Sequence, residues 1–129
     1  MAASYLSAWS PAAIVAAHTA LLALLDTGAT VGSITIHDSA DVELAQIDLE
    51  DPAGAVNGTT GVLTLAPAAA GTATATGTAS YATIRDADGD PHRSLTCQAG
   101  SSAVTDRCVL NTLSIVSGGP VEIVSAVIS

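Results

Sequence analysis

The sequence predicts a mainly β protein, an antiparallel β-sandwich of about seven strands with one N-terminal helix. Three observations carry this. From Gly71 to Ile128 apolar and small polar residues alternate, and a Gly, Asp or Pro breaks the run every few residues. A period of two places one set of side chains on each face of a sheet, and the polar set here is Thr and Ser, which suit a pleated surface. Apolar residues make up 49% of the 129 residues, yet there is no Phe, one Trp and two Tyr, so the core is built from Ala, Val, Ile and Leu. Such side chains favour close-packed layers over a wide, aromatic-lined ligand cavity. No long helices alternate with the strands, which argues against a parallel α/β fold.

The length fits a single domain at 10–129, preceded by an arm at 1–9 (MAASYLSAW) that holds Tyr5, Leu6 and Trp9. Ser10-Pro11 is a helix start, with Ser at the N-cap and Pro at the first helical position. The helix should run to about Asp26, with Gly28 as its stop. Ile14, Ala17, Leu21, Leu24 and Leu25 form one apolar stripe, widened by Val15 and Leu22, so the sheet or a neighbouring subunit should cover it. Val31 to His37 alternates, with Ile34 and Ile36 on one face. Val42 to Leu49 is a second strand whose alternation slips near Ala45-Gln46, as a bulge would make it do. Asp51 to Gly61 reads as a loop, and Gly61 to Ala66 as a third strand ended by Pro67. Thr72 to Asp86 is one long strand or two joined at Gly77, and Asp88-Gly89 is a turn. Arg93 to Ala99, Cys108 to Val116 and Val121 to Ile128 complete the set, with Gly118-Gly119-Pro120 as the last turn.

Charge narrows the function. Three Arg and no Lys face twelve Asp and Glu, a formal net of −9. A nucleic-acid partner needs cations to displace phosphate counterions, and an anionic membrane would repel this chain, so neither partner is expected. The longest apolar stretch, Ala12 to Leu25, includes His18 and Thr19 and is short for a membrane span. Residues 1–10 carry no Lys or Arg, and Pro11 precedes the apolar run, so a signal peptide is not expected and synthesis in a cytoplasm is.

Each chemical candidate competes with a plainer reading. Asp86, Asp88 and Asp90 have the opening spacing of a calcium loop, but its sixth position would be Pro91 and its twelfth Cys97, where glycine and glutamate are needed. An acidic hairpin turn is the better reading. Cys97 and Cys108 flank a loop of turn residues and lie in strand-like segments. If those strands are antiparallel neighbours, a disulfide is feasible, although both begin as thiols in a reducing cytoplasm. CxxC spacing is absent, and a zinc site would need two more ligands, so no metal or other cofactor is expected. His18, His37 and His92 are scattered, and there is no nucleophile elbow and no phosphate loop, so no catalytic residue is assigned and an enzyme is not expected. Tyr5, Leu6 and Trp9 are the partner-contact candidates. Left solvated they would be costly, so the arm either folds back into the core or anchors on a partner.

The chain also resembles a recurring small virion protein of tailed bacteriophages. The pattern is a short apolar N-terminal helix, then ITIHDS, then IDLEDPAG and GVLTLA, then ATGTASYATIRDADGD and VLNTLSIVSGGPVEI. The last two blocks are the most specific, and the resemblance covers roughly residues 13–128. The chain departs from the family in carrying Cys97 and Cys108 around its penultimate loop. The resemblance implies an all-β structural subunit without an assigned reaction, made in the bacterial host cytoplasm and located in the virion. Capsid decoration is the expectation, with a homo-oligomer cementing a larger shell and phage capsid proteins as partners. The alternatives are a neck or tail subunit, or a carbohydrate- or receptor-binding module of a fibre. Such modules display Trp or Tyr beside Asp or Asn, and here only Tyr81 lies in the strand region.

Overall fold

The structure, a computed structural model, describes residues 10–27 and 31–129. Tyr5, Leu6, Trp9 and the expected stop Gly28 lie outside the described residues. Helix α1 spans Pro11–Leu25. Its start follows from local chemistry: the Ser10 hydroxyl accepts the Ala13 N–H at 3.2 Å, and Pro11 occupies the first turn. It ends at Asp26, whose N–H reaches the Leu22 carbonyl at 3.1 Å, and the Thr27 hydroxyl donates to the Ala23 carbonyl at 2.7 Å. The strands, in chain order, are β1 (Ser33–His37), β2 (Glu43–Val56), β3 (Leu63–Pro67), β4 (Gly71–Thr72), β5 (Gly77–Thr78) and β6 (Tyr81–Arg85). There follow β7 (Pro91–Ala99), β8 (Arg107–Leu110), β9 (Ser114–Ile115), β10 (Pro120–Val121) and β11 (Ile123–Ile128).

The mainly β class with one helix stands, but the sandwich is replaced by a barrel. Seven strands close in the order β1-β2-β3-β11-β8-β7-β6, and β6 returns to β1. Both architectures bury one face of every strand, so the same alternation serves either, and only the pairing of the strands separates them. The all-antiparallel expectation also fails at one place. A ring in which every neighbour ran antiparallel would need an even number of strands. With seven, an odd number of neighbours must be parallel, and here it is β7 and β8, with Thr96 to Ala99 opposite Arg107 to Leu110.

The interior is filled by small and branched side chains from around the ring, among them Ile34, Ile47, Leu63, Ile84, Leu110 and Ile128. The slip in β2 is a bulge at Leu44. Ile36 pairs with Ala45 and His37 with Glu43, so Leu44 is the extra residue, and Leu44 and Ala45 are both buried. The segment expected as a loop from Asp51 is instead the continuation of β2 through a cis Asp51–Pro52 bond, rejoining β3 with Gly54 opposite Leu65. The Thr72 to Asp86 stretch is three pieces, β4, β5 and β6, and the Cys108 to Val116 stretch is two, β8 and β9.

The barrel is covered at both ends. Helix α1 lies across the end where β1 and β3 start and β2 and β6 finish. The Asp26 carboxylate accepts the Ala53 N–H at 2.9 Å, and a Cβ on Gly32 would meet the carbonyls of Arg85 and Leu25 at 2.8 and 3.2 Å. At the opposite end, β4 pairs with β10 and β5 with β9, and Ala73, Ala79, Ile115 and Val121 are buried there.

Candidate functional site

Three features combine side chains in ways that packing alone does not require: the outer face of α1, a thiol pair in the barrel wall, and a polar groove beside β1.

Helix α1 turns the predicted apolar stripe towards the barrel, except that Leu24 points outward and His18 takes an inward place. His18 and Leu25 are buried, Ile14, Val15, Leu21 and Leu22 are half-buried, and Leu24 is 48% exposed. The rotation is set by His18, whose Nδ1 bonds the Gly61 carbonyl at 2.5 Å. Gly61 has φ +82° and lies so close to the helix that a Cβ there would meet Ile14 Cγ2 at 2.5 Å. The outward face consists of Pro11, Ala12, Ala13, Ala16, Thr19, Ala20, Ala23 and Leu24, and the fifteen-residue helix has no charged side chain. No helix among the described residues is long and apolar enough to cross a membrane.

Cys97 and Cys108 lie directly opposite one another on the parallel neighbours β7 and β8, and both belong to the core. The structure therefore brings together the two residues that the sequence paired, although through a parallel and not an antiparallel ladder. Both are free thiols. The neighbouring Cys97 sulfur holds the Cys108 thiol well above the ordinary thiol range, and burial adds to the effect. The Cys108 thiol in turn draws Cys97 down, against the opposing pull of burial.

The groove escaped the sequence reading. Its volume is about 560 Å³, and it is lined by Ser33 and Thr35 of β1, Glu43, Gln46 and Asp48 of β2, and Arg85 of β6. These face away from the barrel core, yet Ser33, Thr35 and His37 are buried. A chain of contacts runs along the wall. Arg85 Nε donates to Thr35 Oγ1 at 3.0 Å, and Thr35 Oγ1 bonds His37 Nε2 at 2.8 Å. The His37 ring stacks on Tyr81 with centroids 4.9 Å apart, and the Tyr81 hydroxyl donates to Asp41 Oδ1 at 2.8 Å. That carboxylate holds the Tyr81 phenol above the usual tyrosine range. Arg85 Nη1 also donates to the Gly89 carbonyl at 3.1 Å, tying the groove to the β6–β7 turn. The one signal in the sequence was Ser33, Thr35 and His37 at alternate positions of β1, which reads equally well as a solvated strand face.

The acidic turn is built as a turn. Asp86 Oδ1 accepts the Asp88 and Asp90 N–H groups at 2.9 and 3.0 Å, and Asp86 Oδ2 meets His92 Nε2 at 2.9 Å. His92 first, then those backbone groups, hold the Asp86 carboxyl below the usual carboxylate range. Among the described residues, no group of three His, Cys, Asp or Glu side chains is placed to hold a metal. His18, His37 and His92 remain apart, each engaged by a different neighbour. Comparison with protein-family models, with curated proteins and with solved structures finds no match to this chain.

Proposed function

We propose that this protein is a structural subunit of a tailed-phage virion, a decoration or cement protein that works by packing against copies of itself and a larger shell. The observation that carries the reading is the outward face of α1. Five exposed alanines and one exposed leucine, interrupted by Thr19, on an uncharged helix are unusual in a chain with twelve carboxylates, and an exposed apolar face marks an interaction surface. Alanines let a second helix approach to about 8 Å, so this face suits close helix packing. The arm residues Tyr5, Leu6 and Trp9 directly precede that helix and would extend the contact. A filled barrel of Val, Ile, Leu and Ala is in keeping with a scaffold role. The resemblance to small virion proteins supplies the particle, and a neck or tail position would use the same surface.

The test is to express the chain with its phage, purify particles and look for the protein by mass spectrometry, comparing Leu24→Asp and a chain lacking residues 1–9 with the wild type. Loss of both variants from particles, with their melting temperatures unchanged, supports the reading. Absence of the wild-type protein from particles, or normal incorporation of both variants, refutes it.

The groove favours a second reading, a carbohydrate-binding module. Its hydroxyls, amide, carboxylates and guanidinium are the groups that bind sugar hydroxyls, and Tyr81 stands nearby. Titration with a panel of bacterial surface glycans, using Arg85→Met as the control, separates the two. Saturable binding lost in that variant would favour this reading.

A further inference from the structure

We propose that Cys97 and Cys108 form an oxidation site, in which a small hydroperoxide converts the thiol pair into a disulfide that staples the parallel neighbours β7 and β8. The inference concerns the isolated chain and holds whatever the chain assembles with.

Geometry comes first. The two residues are in direct register, and side chains opposite one another on neighbouring strands point to the same face. Neighbouring strands lie about 4.7–4.9 Å apart, within the Cα separation of roughly 4.4–6.8 Å that a disulfide spans. The two positions are already paired, so the bridge needs no change of register.

Access comes second, and it assigns the roles. Cys97 is 7% exposed and Cys108 0%, so of the two only Cys97 reaches solution, and only a small oxidant could approach it. Hydrogen peroxide is little larger than water. Cys97 is also the thiol whose ionised form the neighbouring S–H stabilises.

The step balances without any further reactant. The Cys97 thiolate attacks one peroxide oxygen, the S–O bond forms and the O–O bond breaks. The departing hydroxide takes up the proton that Cys97 had released, giving water and a sulfenic acid. Cys108 then attacks the Cys97 sulfur, the S–S bond forms, the S–O bond breaks, and the hydroxide leaves with the Cys108 proton as a second water. Two thiols are oxidised by two electrons and one peroxide is reduced to two waters. Because the resolving thiol lies directly opposite on the neighbouring strand, the sulfenic acid is captured before it can oxidise further.

The bridge closes a loop of about a dozen residues, whose lost chain entropy lowers the unfolded fraction by a factor on the order of 100. The loop is the connection across 100–106, so the bridge fixes the return of the chain from β7 to β8.

The experiment treats the folded, reduced full-length chain with a modest excess of hydrogen peroxide. It is then unfolded in an alkylating agent and its intact mass and peptide map are read. The expected product is a monomer lighter by two hydrogens, with a Cys97–Cys108 linked peptide, an unchanged far-ultraviolet circular dichroism spectrum and a raised melting temperature that a reductant reverses. In Cys108→Ala, dimedone should trap a sulfenic acid on Cys97. In Cys97→Ala, Cys108 should stay unmodified until the chain unfolds. If either variant fails to fold, the wild-type mass and peptide map decide alone. Persistent thiols at both positions, a sulfinic acid at Cys97 without a bridge, or bridges only between chains would overturn the proposal.

Discussion

Truncating Leu25 to Ala tests whether α1 belongs to the barrel. Leu25 is 0% exposed, while its neighbour Leu24 is 48% exposed, so one turn of helix supplies both the perturbation and its control. The truncation removes three carbons, and at about 0.8 kcal/mol per buried methylene the lost transfer energy is roughly 2.4 kcal/mol. A residual cavity would raise this towards the upper part of the ~2–5 kcal/mol range seen for buried leucines. Half-buried Leu21 and Leu22 lie one turn away and can settle into part of the space, so the expected loss is about 2–3 kcal/mol. Leu24→Ala should stay within about 0.5 kcal/mol. Urea unfolding followed by circular dichroism gives both values, with an unchanged slope confirming that the same surface is exposed. A loss below about 1 kcal/mol for Leu25→Ala, or equal losses at the two sites, would show that the helix does not cover the barrel end.

Other expectations follow from the same structure. Gly61→Ala combines a positive φ with a Cβ 2.9 Å from the Val15 nitrogen, so it should destabilise by roughly 1–3 kcal/mol in the same urea assay. Asp86 and Asp106 are both held below the usual carboxylate range, Asp86 chiefly by His92 and Asp106 by the Ser129 N–H and hydroxyl. A carboxylate depressed in the fold contributes stability above its unfolded pKa of about 4 and loses it as the pH falls through the folded value. Melting temperature should therefore drop in acid below about pH 4, with a shallower decline in Asp106→Asn. Tyr81→Phe deletes only the bond to Asp41 and keeps the His37 ring stack, so it should lower the urea midpoint only slightly.

Features set by local chemistry were legible in the sequence. Ser10-Pro11 starts the helix because a hydroxyl can satisfy an orphan N–H, wherever the helix goes afterwards. β1, β3 and the Asp88-Gly89 turn were equally plain. Features set by distant partners were not. The face that α1 turns inward depends on a carbonyl forty-three residues away, so His18 replaced Leu24 in the contact. The run Asp51-Pro52-Ala53-Gly54 has loop composition, yet β2 continues through it and re-pairs at Gly54 after a shift of register. Burial of Thr35 and His37 on the outer side of the barrel depends on Arg85 and Tyr81 of another strand, which a period of two cannot convey.

Cys97 and Cys108 show both sides of this limit. Their flanking of a turn-rich loop was visible, and adjacency followed, but the direction of the strands did not. Parallel neighbours ordinarily need a crossover of a dozen residues or more. Here β7 ends at Ala99 and β8 begins at Arg107, and the shorter return suffices because only four residues of each strand pair. A short parallel ladder carries fewer hydrogen bonds, and parallel pairing is slightly weaker per residue. β7 is also held on its other side, by β6 from Tyr81 opposite Thr96 to Arg85 opposite Pro91, and β8 by β11. The β7–β8 contact is thus the ring's one parallel seam, a short ladder exceeded in brevity only by the two-residue pairing of β3 with β11, and the two cysteines sit within it. A covalent bridge there restrains the barrel more than one within β6–β7, where the antiparallel ladder is already long. If amide hydrogen exchange were followed on the reduced and the oxidised protein, the amides of β8 should gain the most protection and those of β6 the least. Equal gains in both strands would show that the parallel contact is no weaker than its neighbours.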